Sequence, residues 1–165
     1  MIARYRLLAE RLRTELQNIE HVVERAGHAL SRAVQQPQDR DYFLAAAALD
    51  LHSFYAGLER LFELIADEID ASKPAGSSWH RDLLTQMAIA IPDVRPAILS
   101  EETRLALVDY LEFRHVVRNV YTFNLRPDRV TELARGLRPT FDQAHHDLMA
   151  FAQFLDTLST ADQGV

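Results

Sequence analysis

Five polar side chains able to hold a phosphate and move a proton crowd into eight residues: Arg114, His115, Arg118, Asn119 and Tyr121. Two guanidiniums can bind phosphate oxygens through paired N–H donors. His115 carries the one group of the five that changes charge near neutral pH, which suits it to acid or base work. Asn119 accepts no proton at any useful pH and is confined to positioning a phosphate or a base edge. Tyr121 adds a phenol. At about 100° per helical residue, with Arg114 as zero, Arg118 falls near 40°, His115 near 100°, Asn119 near 140° and Tyr121 near −20°. The spacing predicts one polar face. Phe113, Val116, Val117 and Val120 fill the complementary arc from about 200° to 300°, the breadth of a stripe that faces a core.

The elements that must carry this face are all helical. Leu8, Leu12, Leu16, Ile19, Val23, Ala26 and Leu30 recur at steps of three and four, which predicts a helix from about residue 2 to 35. Pro37 closes it, because the residue before a proline is excluded from helix. Leu51, Phe54, Tyr55, Leu58, Leu61, Phe62, Ile65 and Ile69 form an apolar stripe, so a second helix runs from about 40 to 70 and supplies the core. A shorter helix over about 78–90 carries Trp79, Leu83, Leu84 and Met87 behind Ser77 or Ser78 as cap. Ser100, followed by Glu101 and Glu102, reads as the N-cap of the helix bearing the polar face, which is expected to end near Asn124. Pro127 opens a short segment to about Arg135, interrupted by Gly136 and Pro139. Phe141, Ala144, Leu148, Phe151, Leu155 and Leu158 then mark a last helix. No stretch alternates with period two. The expected fold is an all-α, antiparallel bundle of about five helices, a single domain over residues 1–158 with a frayed tail at 159–165.

Composition narrows the chemistry. There is no cysteine, which excludes disulfides, thiolate metal sites and cysteine nucleophiles. No apolar run reaches the length of a membrane span, and the N-terminus lacks the h-region of a secretory signal, so a cytoplasmic protein is expected. The net charge of −6 opposes indiscriminate nucleic-acid binding. Charge is nevertheless uneven: residues 104–138 hold seven arginines against Asp109, Glu112, Asp128 and Glu132, so the excess of acid lies elsewhere. Only Lys73 of the 18 basic residues is a lysine, and arginine's planar fork suits bidentate phosphate contact.

The run Arg114-His115-x-x-x-Asn119-x-Tyr121, late in an all-α chain of this size, resembles the signature of HEPN-domain proteins, in particular the HepT toxin group. That signature is an arginine, a polar neighbour, a histidine after four to six intervening residues and, in HepT, a tyrosine two beyond it. Arg114, His115 and Tyr121 match. Asn119 stands where the histidine is expected. The helices containing Leu51 to Phe62 and Trp79 to Leu84 are also similar to those of HepT-like chains. The resemblance implies a homodimer with two motifs facing across a cleft, acting as a metal-independent endoribonuclease without cofactor. It further implies an MNT-type nucleotidyltransferase antitoxin as partner, attaching AMP to the motif tyrosine, here Tyr121. Metal-free RNA cleavage needs a base for the 2′-hydroxyl, cations for the phosphate and an acid for the leaving oxygen. Arg114 and Arg118 can serve the phosphate. With Asn119 unable to move a proton, either His115 has taken over, joined by its counterpart across a dimer, or the chain is a non-catalytic HEPN module that binds a nucleotidyltransferase or nucleic acid.

Other polar groups carry blander expectations. His52 lies among apolar neighbours and reads as a satisfied structural histidine. Glu59, Glu63, Asp67, Glu68 and Asp70 read as a solvated acidic face rather than a metal site, and His145-His146 lacks the spacing for zinc. Arg138 and His145 fit the longer motif spacing by accident, since no tyrosine follows and packing explains that helix.

Overall fold

A computed structural model describes residues 2–121 and 124–161, with the side chain of Ile2 left aside. It is an all-α bundle of five helices: α1 (Ile2–Gln35), α2 (Arg40–Ile65), α3 (Trp79–Met87), α4 (Glu101–Asn119) and α5 (Pro127–Ala161). The expected helix content and element order hold. A 3₁₀ turn, Pro37–Asp39, joins α1 to α2, and a π-helical turn, Ala66–Asp70, extends α2 until Ala71 ends it in the left-handed conformation. Of the expected tail, Ser159, Thr160 and Ala161 instead continue α5, with Ser159 buried, and residues 162–165 lie outside the described residues.

The core forms where the three long helices meet. Leu12, Leu16 and Ile19 of α1 and Leu51, Phe54, Leu58 and Phe62 of α2 are buried together with Phe141, Ala144, Leu148 and Leu155 of α5. Gly57 permits the close approach of α1 to α2, since a Cβ there would lie 2.9 Å from Ile19 Cγ1. On the other side of α2 sits α4, and α3 packs into the angle between these two. The start of α4 is fastened as its sequence predicts. Ser100 Oγ accepts from the Thr103 amide at 3.1 Å, and Asp147 of α5 accepts from the Ser100 amide and from Thr103 Oγ1. Ser78, by contrast, makes no side-chain cap on α3.

Two sequence expectations about helix boundaries are corrected. The predicted break at Gly136 and Pro139 does not occur, and α5 passes through both. Leu133, Ala134 and Leu137 on one side and Phe141 and Ala144 on the other are buried in the same layer, so packing holds the helix continuous across the proline. Pro139 removes one intrahelical donor, while Thr140 Oγ1 donates to the Gly136 carbonyl at 2.9 Å. The bare Gly136 backbone also lets Tyr110 of α4 reach in and donate to the Leu133 carbonyl at 2.8 Å. The second correction concerns α4, which stops at Asn119, five residues short of the expected end. Val120 turns extended, with φ −131° and ψ 154°.

Candidate functional site

The early end of α4 divides the predicted polar face. Arg114 lies on the inner edge, its side chain 17% exposed, and points into the groove where α2, α3 and α4 meet. His115, Arg118 and Asn119 are exposed. Tyr121 follows the extended Val120, so the helical angle that placed it beside Arg114 does not apply; it is 73% exposed in the α4–α5 connection. Asn119 turns back on its own helix and donates from Nδ2 to the His115 carbonyl at 2.7 Å, occupying one amide hydrogen in closing the helix end. The apolar arc is likewise only partly built. Phe113 is buried and Val117 is packed at the edge of the core, but Val116 is 46% and Val120 40% exposed.

What Arg114 meets in the groove was not anticipated. Glu59 of α2, expected on a solvated face, is 3% exposed, and its Oε1 lies 3.3 Å from Arg114 Nη1. Its second oxygen, Oε2, is 2.7 Å from Nδ1 of His80 on α3. His80 Nδ1 is also 3.3 Å from Arg114 Nη1. An ionised carboxylate can only accept. His80 therefore donates its Nδ1–H to Glu59, and the guanidinium directs its own N–H to the same carboxylate rather than to the ring. Arg114 Nε is buried without an acceptor among the described residues. The ring of Trp79 stacks on that of His80, with centroids 3.6 Å apart, and fixes its plane. A further bridge, Arg81 to Glu112 at 2.9 Å, ties α3 to α4 at the surface.

His52 completes the inner face. It lies seven residues before Glu59, on the same side of α2, and makes no hydrogen bond among the described residues, so it is not the satisfied histidine its neighbours suggested. Burial first, then the positive charges of Arg114 and Arg118, hold its imidazole below the usual histidine range, against the opposing pull of Glu59. Between His52 and Glu59 stands Tyr55, fully buried, its hydroxyl without a partner among the described residues. Burial and the nearby Glu59 carboxylate push this phenol well above its ordinary range. Positions 52, 55 and 59 fall within about 60° of one another on a helical wheel. That spacing, polar atoms recurring inside the most apolar stripe of the chain, was the available signal. The side chain of Asp70, at the other end of the supposed acidic face, is also buried and accepts from Nε and Nη2 of Arg95. Glu63 pairs with Lys73.

The arrangement brings the Arg114 guanidinium, the Glu59 carboxylate and the carboxylate-held imidazole of His80 to a single groove, with His52 on the same side of α2. A comparison with protein families matches residues 46–155 to the family described as HepT-like protein. The chain belongs to the HepT-like family. The matched span runs from the second turn of α2 to late α5 and contains every residue of this groove. The HepT-like match leaves out α1, which packs against the opposite side of α2. No curated protein and no solved structure matches the chain. Among the described residues of this HepT-like chain, no helix is long and apolar enough to cross a membrane. The accidental spacing of Arg138 and His145 has no counterpart in this groove: Arg138 pairs with Glu20 of α1 and Asp142.

Proposed function

We propose that this HepT-like chain is a toxin-type, metal-independent endoribonuclease acting as a homodimer on single-stranded RNA. Arg114 and Arg118 hold the scissile phosphate, His115 moves a proton, and Asn119 positions the strand with its remaining amide hydrogen and oxygen. The observation that carries this reading is the charge balance of α4. Of the two guanidiniums bearing on His52, Arg114 is countered by Glu59, whereas Arg118 meets no carboxylate among the described residues. Like charges four residues apart on a helix repel, and an anion bridging them relieves this. Arg114 commits Nη1 to Glu59 and leaves Nη2 without an acceptor among the described residues, the half of its fork that a phosphate needs.

Tyr121 is the proposed point of control. Its exposure on the α4–α5 connection makes the phenol reachable by a nucleotidyltransferase partner, which would transfer the adenylyl group of ATP to the phenolic oxygen and release pyrophosphate. The added phosphodiester places a negative charge three residues from Arg118, where it competes with RNA. The test is incubation of the purified protein with total RNA in excess chelator. Cleavage that disappears in Arg118→Ala, a surface change that leaves the buried ion pair intact, is expected. RNA left whole by the unmodified protein across the neutral range would overturn the catalytic reading. A second reading, a HEPN module that binds RNA or a nucleotidyltransferase without cutting, is favoured by one observation, the engagement of Asn119 in closing α4. Under it Arg118→Ala weakens binding and no condition yields cleavage.

A further inference from the structure

We infer that His80, on α3 and outside the α4 motif, supplies the proton-accepting imidazole that position 119 lacks, oriented by the buried carboxylate of Glu59. The inference rests on the ribonuclease reading above and adds a residue to it. Three contacts fix the ring. Glu59 Oε2 receives Nδ1–H at 2.7 Å, Trp79 stacks on one face, and Arg114 Nη1 approaches the Nδ1 edge at 3.3 Å. With the proton held on Nδ1, the lone pair resides on Nε2, across the ring. The His80 side chain retains 26% exposure. A carboxylate that fixes the tautomer and stabilises the imidazolium as it forms is the arrangement that makes an imidazole an effective general base. A merely structural histidine could satisfy Glu59, but Arg114 already pairs with that carboxylate, and the second partner is a ring held in a defined plane beside the phosphate-binding guanidinium.

The step is a transesterification. His80 Nε2 takes the proton of a ribose 2′-hydroxyl; the 2′-oxygen bonds to phosphorus while the bond from phosphorus to the 5′-oxygen breaks. His115, as imidazolium, gives its proton to the departing 5′-oxygen. The products are a 2′,3′-cyclic phosphate and a 5′-hydroxyl, and no oxidant or metal enters. Among the described residues, the charged groups in contact with His80 are Glu59 of α2 and Arg114 of α4, and the Arg81–Glu112 pair ties its helix to α4.

The experiment measures cleavage of a labelled single-stranded RNA from pH 5 to 9 in chelator, with RNA binding followed separately by fluorescence anisotropy. His80→Gln should bind RNA as the parent does, cut about 10²-fold more slowly and lose the limb of the profile in which the rate climbs with pH. Asn119→His added to His80→Gln should restore at least tenfold, by returning an imidazole to the motif position. Equal rates and an unchanged profile in His80→Gln overturn the inference and leave the ribonuclease reading standing. Absence of cleavage by the parent overturns both. Should His80→Gln fail to fold, nitrogen NMR of the parent decides. The Nε2 resonance of His80 must titrate at the midpoint of the rising limb, and a mismatch overturns the assignment.

Discussion

Glu59 and Arg114 meet across the seam of α2 and α4, carboxylate to guanidinium at 3.3 Å, with Glu59 only 3% exposed. Neither charge is tolerable there alone, because an ion taken from water into a packed interior costs several kcal/mol unless its partner is present. Arg114 thus has a structural duty besides any chemistry. Arg114→Ala is expected to destabilise the fold by about 3 kcal/mol and to lower the melting temperature by about 6–12 °C. The double change Glu59→Gln with Arg114→Met removes both charges and should recover more than half of that loss. Urea titration checks this, and an Arg114→Ala protein as stable as the parent would contradict the burial of the pair.

Arg118 offers the complementary case. It is exposed and meets no carboxylate among the described residues, so its loss should leave unfolding unchanged within the error of a urea titration. RNA affinity should fall by about tenfold at low salt, and the slope of log affinity against log salt should become shallower by about 0.7 for a single-stranded ligand. Fluorescence anisotropy at three salt concentrations measures both. An unchanged slope would mean that Arg118 touches no phosphate.

How much of this was legible depends on whether a residue's role is set by its near neighbours. The limits of α1 and the stripe of α2 were readable because Leu8 to Ala26 and Leu51 to Ile65 repeat with the helical period and are buried on that face. The geometry of the candidate site was half readable. Arg114 announced itself by its neighbours, but its partners Glu59 and His80 come from two other helices, and no local pattern pairs residue 59 with residue 80 or 114. The series Glu59, Glu63, Asp67 looked solvated because spacing along one helix does not reveal that α3 and α4 cover its first member. Continuity through Pro139 was hidden for the same reason. The local penalty was visible, while the apolar layer offsetting it, with Tyr110 inserted at Gly136, is tertiary. Tyr121 was misplaced because the wheel assumes a helix, and Asn119 ends it.

The depressed His52 imidazole makes stability depend on pH in a predictable direction. Because its folded-state affinity for a proton is lower than in the unfolded chain, the unfolded state binds more protons once the pH drops below about 6.5. Its contribution is therefore complete above that value and declines as the pH falls toward the folded-state midpoint. Subtracting the urea curve of His52→Gln from that of the parent between pH 7.5 and 5 should isolate this slope. In proton NMR, His52 should titrate below the usual histidine range, and Arg118→Ala should move its midpoint upward by removing one of the two positive charges. A midpoint that stays put in Arg118→Ala would separate Arg118 from the groove.

Pro139 gives the last expectation, and it concerns the scaffold. The residue is exposed at mid-helix in α5, where a proline forfeits one hydrogen bond and its ring crowds the carbonyl of Arg135. Packing on both sides of it keeps the helix whole, so that cost is borne by the fold. Pro139→Ala should restore the missing donor and raise stability by about 1–3 kcal/mol, less the unfolded-state entropy that the proline ring removes. RNA cleavage should be untouched, since α5 supplies no group to the groove. A Pro139→Ala protein with a lower urea midpoint would show instead that the proline sets a bend on which Tyr110 and the seating of α4 depend. Tyr110→Phe added to Pro139→Ala would then cost little more, the two losses being less than additive, whereas under the present account it costs about 1 kcal/mol in either background, for the hydrogen bond to Leu133.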